Sequence, residues 1–299
     1  MQAHKHTLIR TIVLTALALI AFAANTVLCR WALAKPSIDA ASFTTVRLVS
    51  GALTLYLIIM FNQTARRATA RGSWRAALML FGYAITFSYA YITLDTGTGA
   101  LILFGSVQIS IILATVFRGT RLHGAEWLGL VIAFGGFVYL VLPDVTTPSL
   151  SGFVLMTLAG VSWAFYTLIG RGSAAPLLDT TYNFIRTLPF VAMVMLLGLR
   201  DAHVSTQGIA LAVISGAIAS GIGYTIWYMA LGGLSTTMAG VLQLLVPIIA
   251  ALGGVVFVGE PITLRMSIAG ILILGGILLV ILGPYYYAQR NTPTKTTSG

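Results

Sequence analysis

The chain has 299 residues, 58% of them hydrophobic and only 8% charged, with a formal net charge of +10. A soluble domain carries about 25% charged residues, so this composition excludes a soluble globular protein and points to one built into a membrane. The basic excess sorts by loop, which the positive-inside rule explains without nucleic acid. The single cysteine, Cys29, can form no internal disulfide and no thiolate metal site.

A spanning helix needs about 20 apolar residues, and the apolar runs predict ten. The first, 9–29, follows the basic stretch "MQAHKHTLIR" and carries Asn25 and Thr26. Its Ala21-Phe22-Ala23 resembles a signal-peptide cleavage site. The apolar character continues to Cys29, however, and the segment has a partner later in the chain, so it is read as a retained helix. The second, 41–61, holds Arg47 about two turns in; an arginine at the bilayer centre costs about 2.5–3.5 kcal/mol on insertion scales. The third, 75–94, places Tyr83, Phe87 and Tyr91 four residues apart on one face. The fourth, 98–117, offers Ser106, Gln108 and Ser110, and the fifth, 125–142, is glycine-rich. The sixth, 152–170, sets Trp163 and Tyr166 on one face; the seventh, 180–199, carries Asn183, Arg186 and Pro189. The eighth, 207–231, holds Ser220, Tyr224, Trp227 and Tyr228. The ninth, 236–257, contains Gln243 and Pro247 and leads to Glu260. The tenth, 266–287, closes with "YYYAQR" (285–290), an aromatic belt with a basic anchor.

A buried amide without partners costs about 1–3 kcal/mol. Asn25, Gln108 and Gln243 therefore face the bundle interior, as helix-to-helix glue or in a wet cavity. The aromatic side chains pack, anchor or line that cavity. Trp163 and Tyr228 are the favoured lining residues, because Gly160, Ala164, Gly221 and Gly223 leave room beside them. Pro189 and Pro247 can kink their helices and free carbonyls.

Lys5, Arg10, Arg66, Arg67, Arg71, Arg75, Arg118, Arg121, Arg171, Arg290 and Lys295 fall at the termini and alternate loops, which are assigned to the cytoplasm. Arg30, Lys35, Arg200 and Arg265 fall on the other side, with Asp39, Asp95, Asp144, Asp201 and Glu260. Both termini are then cytoplasmic. With Asp179 and Glu126, every acid sits at or near a helix end, and a mid-membrane carboxylate for ion coupling is missing. His4, His6, His123 and His203 lie outside the spans. The cavity is read as uncharged. It suits zwitterions whose ammonium meets aromatic faces and whose carboxylate meets amides or helix N-termini.

At an offset of about 140 the chain aligns with itself. "FRGTRLHGAEWLGLVIAFGGFVYLVLP" (117–143) lies over "FVGEPITLRMSIAGILILGGILLVILG" (257–283), "TVLCR" (26–30) over "TLIGR" (167–171), and Arg47 over Arg186. This predicts a duplicated five-helix unit, 1–148 and 149–290, followed by a cytoplasmic tail, 291–299. Five is odd, so the second copy enters the membrane upside down, with the substrate site where the halves meet. Arg47 and Arg186 each lie near enough to an end to snorkel. An architectural or gating role with neighbouring carbonyls or an acid, and direct substrate contact, stay open beside that reading. Asn183, Pro247 and Glu260 are grouped with them as architectural or gating candidates, Glu260 bracing the turn into the tenth helix.

"GEPIT" (259–263) after a proline-containing ninth helix, "YTIWYMAL" (224–231), and the arginine early in helices two and seven resemble the drug/metabolite transporter superfamily, in its ten-helix EamA-type exporter branch. The likeness covers essentially the whole chain. The second half has Gly259, Glu260 and Thr263; the first reads Gly119, Thr120 and His123 and lacks the acid. The resemblance implies a bacterial inner-membrane exporter of amino acids, with the aromatic amino-acid (YddG-type) group as a candidate. It places helices one to four and six to nine around the cavity. Helices five and ten stay peripheral, their Gly129, Gly135, Gly136, Gly270, Gly275 and Gly276 serving close packing.

The expected fold is thus an all-α integral membrane protein of ten transmembrane helices in two inverted repeats. The expected activity is alternating-access export of neutral amino acids and related amphipathic metabolites, with no cofactor, no metal, and one chain sufficing. Cationic drug efflux and nucleotide-sugar or organophosphate transport are the rivals. No G-x-x-x-x-G-K-[ST] loop and no nucleophile with a base occurs, so neither an ATPase nor another enzyme is expected.

Overall fold

The computed structural model describes residues 2–35, 37–62, 71–119, 122, 124–142, 147–198, 202–234 and 236–290, and the side chains within them apart from those of 2–7, 236–237 and 284–290. The loop charges Arg66, Arg67, Arg121, Asp144, Arg200 and Asp201, the expected tail, the aromatic-belt side chains, Thr120 and His123 lie outside what is described.

Ten helices follow one another among the described residues: α1 (Gln2–Ala34), α2 (Ala40–Phe61), α3 (Trp74–Ala90), α4 (Thr96–Phe117), α5 (Gly124–Val141), α6 (Leu150–Gly170), α7 (Pro176–Gly198), α8 (Thr206–Leu231), α9 (236–258) and α10 (Leu264–Arg290). Nine are long and apolar enough to cross a membrane; α3, with 17 residues, is shorter. It ends at Ala90 rather than at 94, because 91–94 form turns. Polar caps fix several starts. Asp39, Ser73, Ser149 and Ser205 each accept from the amide three residues on, satisfying a donor that the first helical turn leaves free. Large apolar side chains such as Val131, Phe134, Leu196, Leu252 and Ile271 point outward, the pattern that lipid demands.

Two helices are interrupted where the sequence reads as continuous. Within α8, Ser215–Ile222 is π-helical between α-helical Thr206–Ile214 and Gly223–Leu231. Within α9, a turn at 244–245 separates Thr236–Gln243 from Val246–Gly253, which runs into π-helical Gly254–Val258. Pro247 stands at the start of that second piece, where its missing N–H costs no helical bond.

The packing repeats with a shift of five helices. α2 packs on α7, α4 on α9, and α5 on α10, each against its own counterpart. The other extensive packings come in matched pairs: α3 on α6 with α8 on α1, α4 on α6 with α9 on α1, and α2 on α8 with α7 on α3. Gly119, after α4, and Gly259, after α9, both take the left-handed conformation (φ 95° and 79°) that lets a helix stop in a tight turn. The glycine expectation for α5 and α10 holds in part. A Cβ at Gly129, Gly136 or Gly276 would press on the facing helix, whereas one at Gly135 or Gly275 would meet nothing within 4 Å.

Each end of the bundle carries a carboxylate strap. Asp39, before α2, accepts from the amides of Ser42 (2.8 Å) and His203 (2.9 Å). Asp179, in the first turn of α7, accepts from the Gly72 amide (2.7 Å) and the Ser173 hydroxyl. Burial raises the Asp39 carboxyl, but the hydrogen bonds from Ser42 and the His203 amide outweigh it and hold the group below its usual value.

Candidate functional site

The interruption in α8 assembles the centre of the bundle. A π-helix bonds residue i to i+5, so Ser215 and Ser220 come to one face, which the α-helical spacing expected for this stretch would not allow. The segment crosses α2 closely: a Cβ at Gly216 would collide with the Arg47 carbonyl. Ser215 (2.6 Å) and Ser220 (3.4 Å) both donate to Asn25 Oδ1, and Asn25 Nδ2 donates to the Tyr83 hydroxyl (3.1 Å).

Arg47 enters this cluster from α2. It is 1% exposed, so it does not snorkel, and no carboxylate is among its partners. Its Nε donates to Ser220 Oγ (3.1 Å), and its Nη2 to the hydroxyls of Tyr224 (2.9 Å) and Tyr83 (3.3 Å). Its guanidinium carbon lies 5.2 Å and 5.1 Å from the Tyr83 and Phe87 ring centres, within cation–π range. Nη1 is buried with no protein partner.

The Asn25, Tyr83 and Tyr224 side chains open on a cleft walled by Phe22, Thr26, Leu103, Phe104 and Trp163. It holds about 10 Å³, room for one water. A solute the size of an amino acid enters only when these walls part. Trp163 is the hub, with ring centres of Tyr224, Tyr83, Tyr166 and Phe22 at 4.6, 4.9, 5.5 and 5.8 Å. Trp227 joins through Phe22 at 5.6 Å, its Nε1 buried without a partner. Tyr83 and Tyr224 are 141 residues apart, as are Phe22 and Trp163. Two pairs of corresponding residues therefore touch each other here, the Tyr83 and Tyr224 hydroxyls at 3.3 Å.

The remaining candidates stand elsewhere. Tyr228 lies toward the Arg171 end, 6.2 Å from Tyr166, and borders a separate cavity of about 240 Å³ with Gly170, Arg171 and Pro176. Gln108 ties α4 to α9 through the Gly240 carbonyl (3.2 Å), and Gln243 bonds back to Ala239 (3.4 Å). Tyr91 packs at the Arg30 end, its hydroxyl directed to the Thr96 carbonyl (3.4 Å). Phe87 bridges Tyr83 and Tyr91. Asn183 accepts from the Ser73 amide (2.9 Å). Arg186 reaches its own end of the bundle, donating to the Arg71 carbonyl, with Trp74 and Tyr182 rings 5.7 and 5.8 Å away.

Glu260 closes the Arg30 end. It accepts from Arg30 Nε (2.6 Å) and from the Thr96 amide (2.7 Å). Arg30 also donates to the Tyr91 (3.0 Å) and Ile92 (3.2 Å) carbonyls and to Asp95 (3.2 Å), so one side chain gathers α1, the α3–α4 turn and the α9–α10 turn. Burial and the neighbouring Glu260 charge hold the Asp95 carboxyl above its usual value, despite Arg30. The sequence reading gives Arg30 and Asp95 no pairing with each other or with Glu260, and gives Phe22 and Ser215 no place in the cavity. Phe22 precedes Asn25 by three residues, a same-face spacing that was available. Ser215 carries no sequence signal, because its direction depends on the π-helix. Among the described residues no group of acids, histidines and cysteine is placed to hold a metal.

A family model described as the EamA-like transporter family matches this chain twice, at residues 9–142 and 150–282. An uncharacterized protein of Pseudomonas aeruginosa is 48% identical over 273 residues, covering 91% of this chain and 94% of its own. The threonine/homoserine exporter RhtA of Escherichia coli is 28% identical over 269 residues, 87% of this chain and 86% of that one. A solved crystal structure matches with a TM-score of 0.62 over 91% of this chain and 97% of its own, at 17% identity, and so shares the fold.

Proposed function

We propose, on the premise that this chain belongs to the EamA-like transporter family, that it exports neutral amino acids, aromatic ones included, and related amphipathic metabolites by alternating access. The family is one of transporters, so the protein moves a small molecule across a membrane and is not an enzyme. The observation that carries the substrate reading is the central chamber, whose aromatic walls and one amide are backed by the buried Arg47 guanidinium on Tyr83 and Tyr224, with no carboxylate among the described residues of the cluster. A fixed positive charge repels cations, and the described residues of the cluster include no acid to exchange a cation for a proton, which weighs against cationic drug efflux. A nucleotide-sugar carrier needs several cations in the cavity, and Arg186 lies away from it.

The double family match, the packing that repeats every five helices and the contacts between corresponding residues support two inverted repeats, 1–148 and 149–290, related by an axis through the Tyr83–Tyr224 contact. The family match and the bacterial relatives support a bacterial inner membrane, and charge sorting supports cytoplasmic termini, which makes the Arg30 end external. One chain contains both halves and suffices for transport.

The test is uptake of radiolabelled tryptophan, phenylalanine, methionine and threonine into liposomes holding the purified protein, with and without a pH gradient. Mutual competition that ignores the gradient is the expected result for a facilitator. Flux of quaternary ammonium or sugar nucleotides in place of amino acids would overturn the reading. Trp163→Ala should lower uptake at least tenfold with expression retained, since four rings lose their shared neighbour; unchanged uptake would remove Trp163 from the site.

A further inference from the structure

The chamber has more hydrogen-bond donors than acceptors. Asn25 Oδ1 is occupied by Ser215 and Ser220, and Ser220 Oγ receives Arg47 Nε. Three donors then converge on one oxygen, since Asn25, Arg47 and Tyr224 all point at the Tyr83 hydroxyl. A hydroxyl has two lone pairs, so one of the three is poorly served. Arg47 Nη1 is left with no acceptor at all. Such a surplus, around a guanidinium that is only 1% exposed, is the complement of an anionic acceptor. Among the described residues none is supplied: Asp39, Asp95, Glu126, Asp179 and Glu260 lie at helix ends or in the adjoining turns.

We infer that a carboxylate is the one polar group a ligand of this chamber must carry, and that it docks on the Tyr83 and Tyr224 hydroxyls under the charge of Arg47. The ammonium of an amino acid is then dispensable. The carboxylate accepts the two phenolic protons, which frees Tyr83 from its crowded acceptor role and gives the buried cation its counter-charge. The apolar part of the ligand lies against Trp163 and Phe22. The inference rests on reading this cluster as the substrate site.

The experiment is competition against radiolabelled tryptophan uptake in proteoliposomes by two tryptophan analogues, indole-3-propionate (carboxylate, no amine) and tryptamine (amine, no carboxylate), together with direct uptake of labelled indole-3-propionate. Indole-3-propionate should compete within about tenfold of tryptophan, and tryptamine should fail at a hundredfold excess. Tyr224→Phe removes one hydroxyl and keeps the ring. It should raise the half-inhibiting concentration of indole-3-propionate about tenfold, with Arg47→Lys as the charge-retaining control. Tryptamine competing as well as tryptophan would overturn the inference while leaving amino-acid transport standing. Uptake of indole-3-propionate without uptake of tryptophan would overturn the amino-acid reading and leave the inference standing. Uptake of neither would overturn both.

Discussion

The first five helices bring Phe22, Asn25, Arg47 and Tyr83 to the centre of the bundle; the residues at the corresponding sequence positions of the last five are Trp163, Tyr166, Arg186 and Tyr224. The rings match and touch. The polar groups do not match: Asn25 faces the serines of α8 while its counterpart is a tyrosine, and Arg47 is buried while Arg186 reaches the end of the bundle. The symmetric part sets the shape of the chamber, and the asymmetric part gives it a polar side. The two ends differ in the same sense. Arg30 gathers Glu260, Asp95 and two carbonyls at one end. In the sequence, Arg171 corresponds to Arg30, and Thr120 and Ser235 stand at the positions aligned with Glu260 and Asp95.

Removing Arg30 should break this comparison most. Its side chain is 14% exposed and that of Glu260 12%, so Arg30→Ala strands a largely buried carboxylate at a cost of about 2–5 kcal/mol. The check is the temperature of half-loss of folded protein in detergent, where Arg171→Ala, an exposed position, should shift little. Asn25→Ala comes next. It removes the acceptor shared by two serine hydroxyls and should cost about 1–3 kcal/mol, read as weakened tryptophan uptake, while Tyr166→Phe stays within about twofold. Equal effects would mean that the polar asymmetry has no role in transport. Asp39→Ala should cost about 0.5–2 kcal/mol through its helix cap. The folded-state pKa of Asp39 is depressed, so its stabilisation is present above the unfolded value and lost as pH falls through the folded one. The variant should therefore show a flatter acid limb in stability against pH. Asp95→Asn should be smallest, within about 0.5 kcal/mol and neutral to stabilising, because the folded state already resists ionising this half-exposed carboxyl.

The ten helices were legible because apolar length is nearly the whole signal in a membrane protein. Trp163, Tyr224, Tyr83 and Asn25 were legible as polar or aromatic residues in apolar runs. The depth of Arg47 was not, since snorkelling and burial share the same sequence two turns from a helix end. Tyr91, Gln108 and Tyr228 look like cavity residues by type, yet their direction is set by helix rotation and by short-range bonds to Thr96, Gly240 and the Tyr166 neighbourhood. Arg30 was visible as a charge but not as the meeting point of three elements distant in sequence.

The π-helical stretch Ser215–Ile222 has a history written into its geometry. A π-turn accommodates one residue more than an α-turn, so the segment behaves like an insertion absorbed within a continuous helix. Deleting a single residue there, beyond Ser220, would restore the α spacing within the segment and leave the turns on either side in register. Tyr224 would keep Tyr83 and Trp227 would keep Phe22, but Ser215 and Ser220 would no longer share a face and Asn25 would lose one of its two donors. In this protein a change in reading length, not only in chemistry, is a mutation of the binding site.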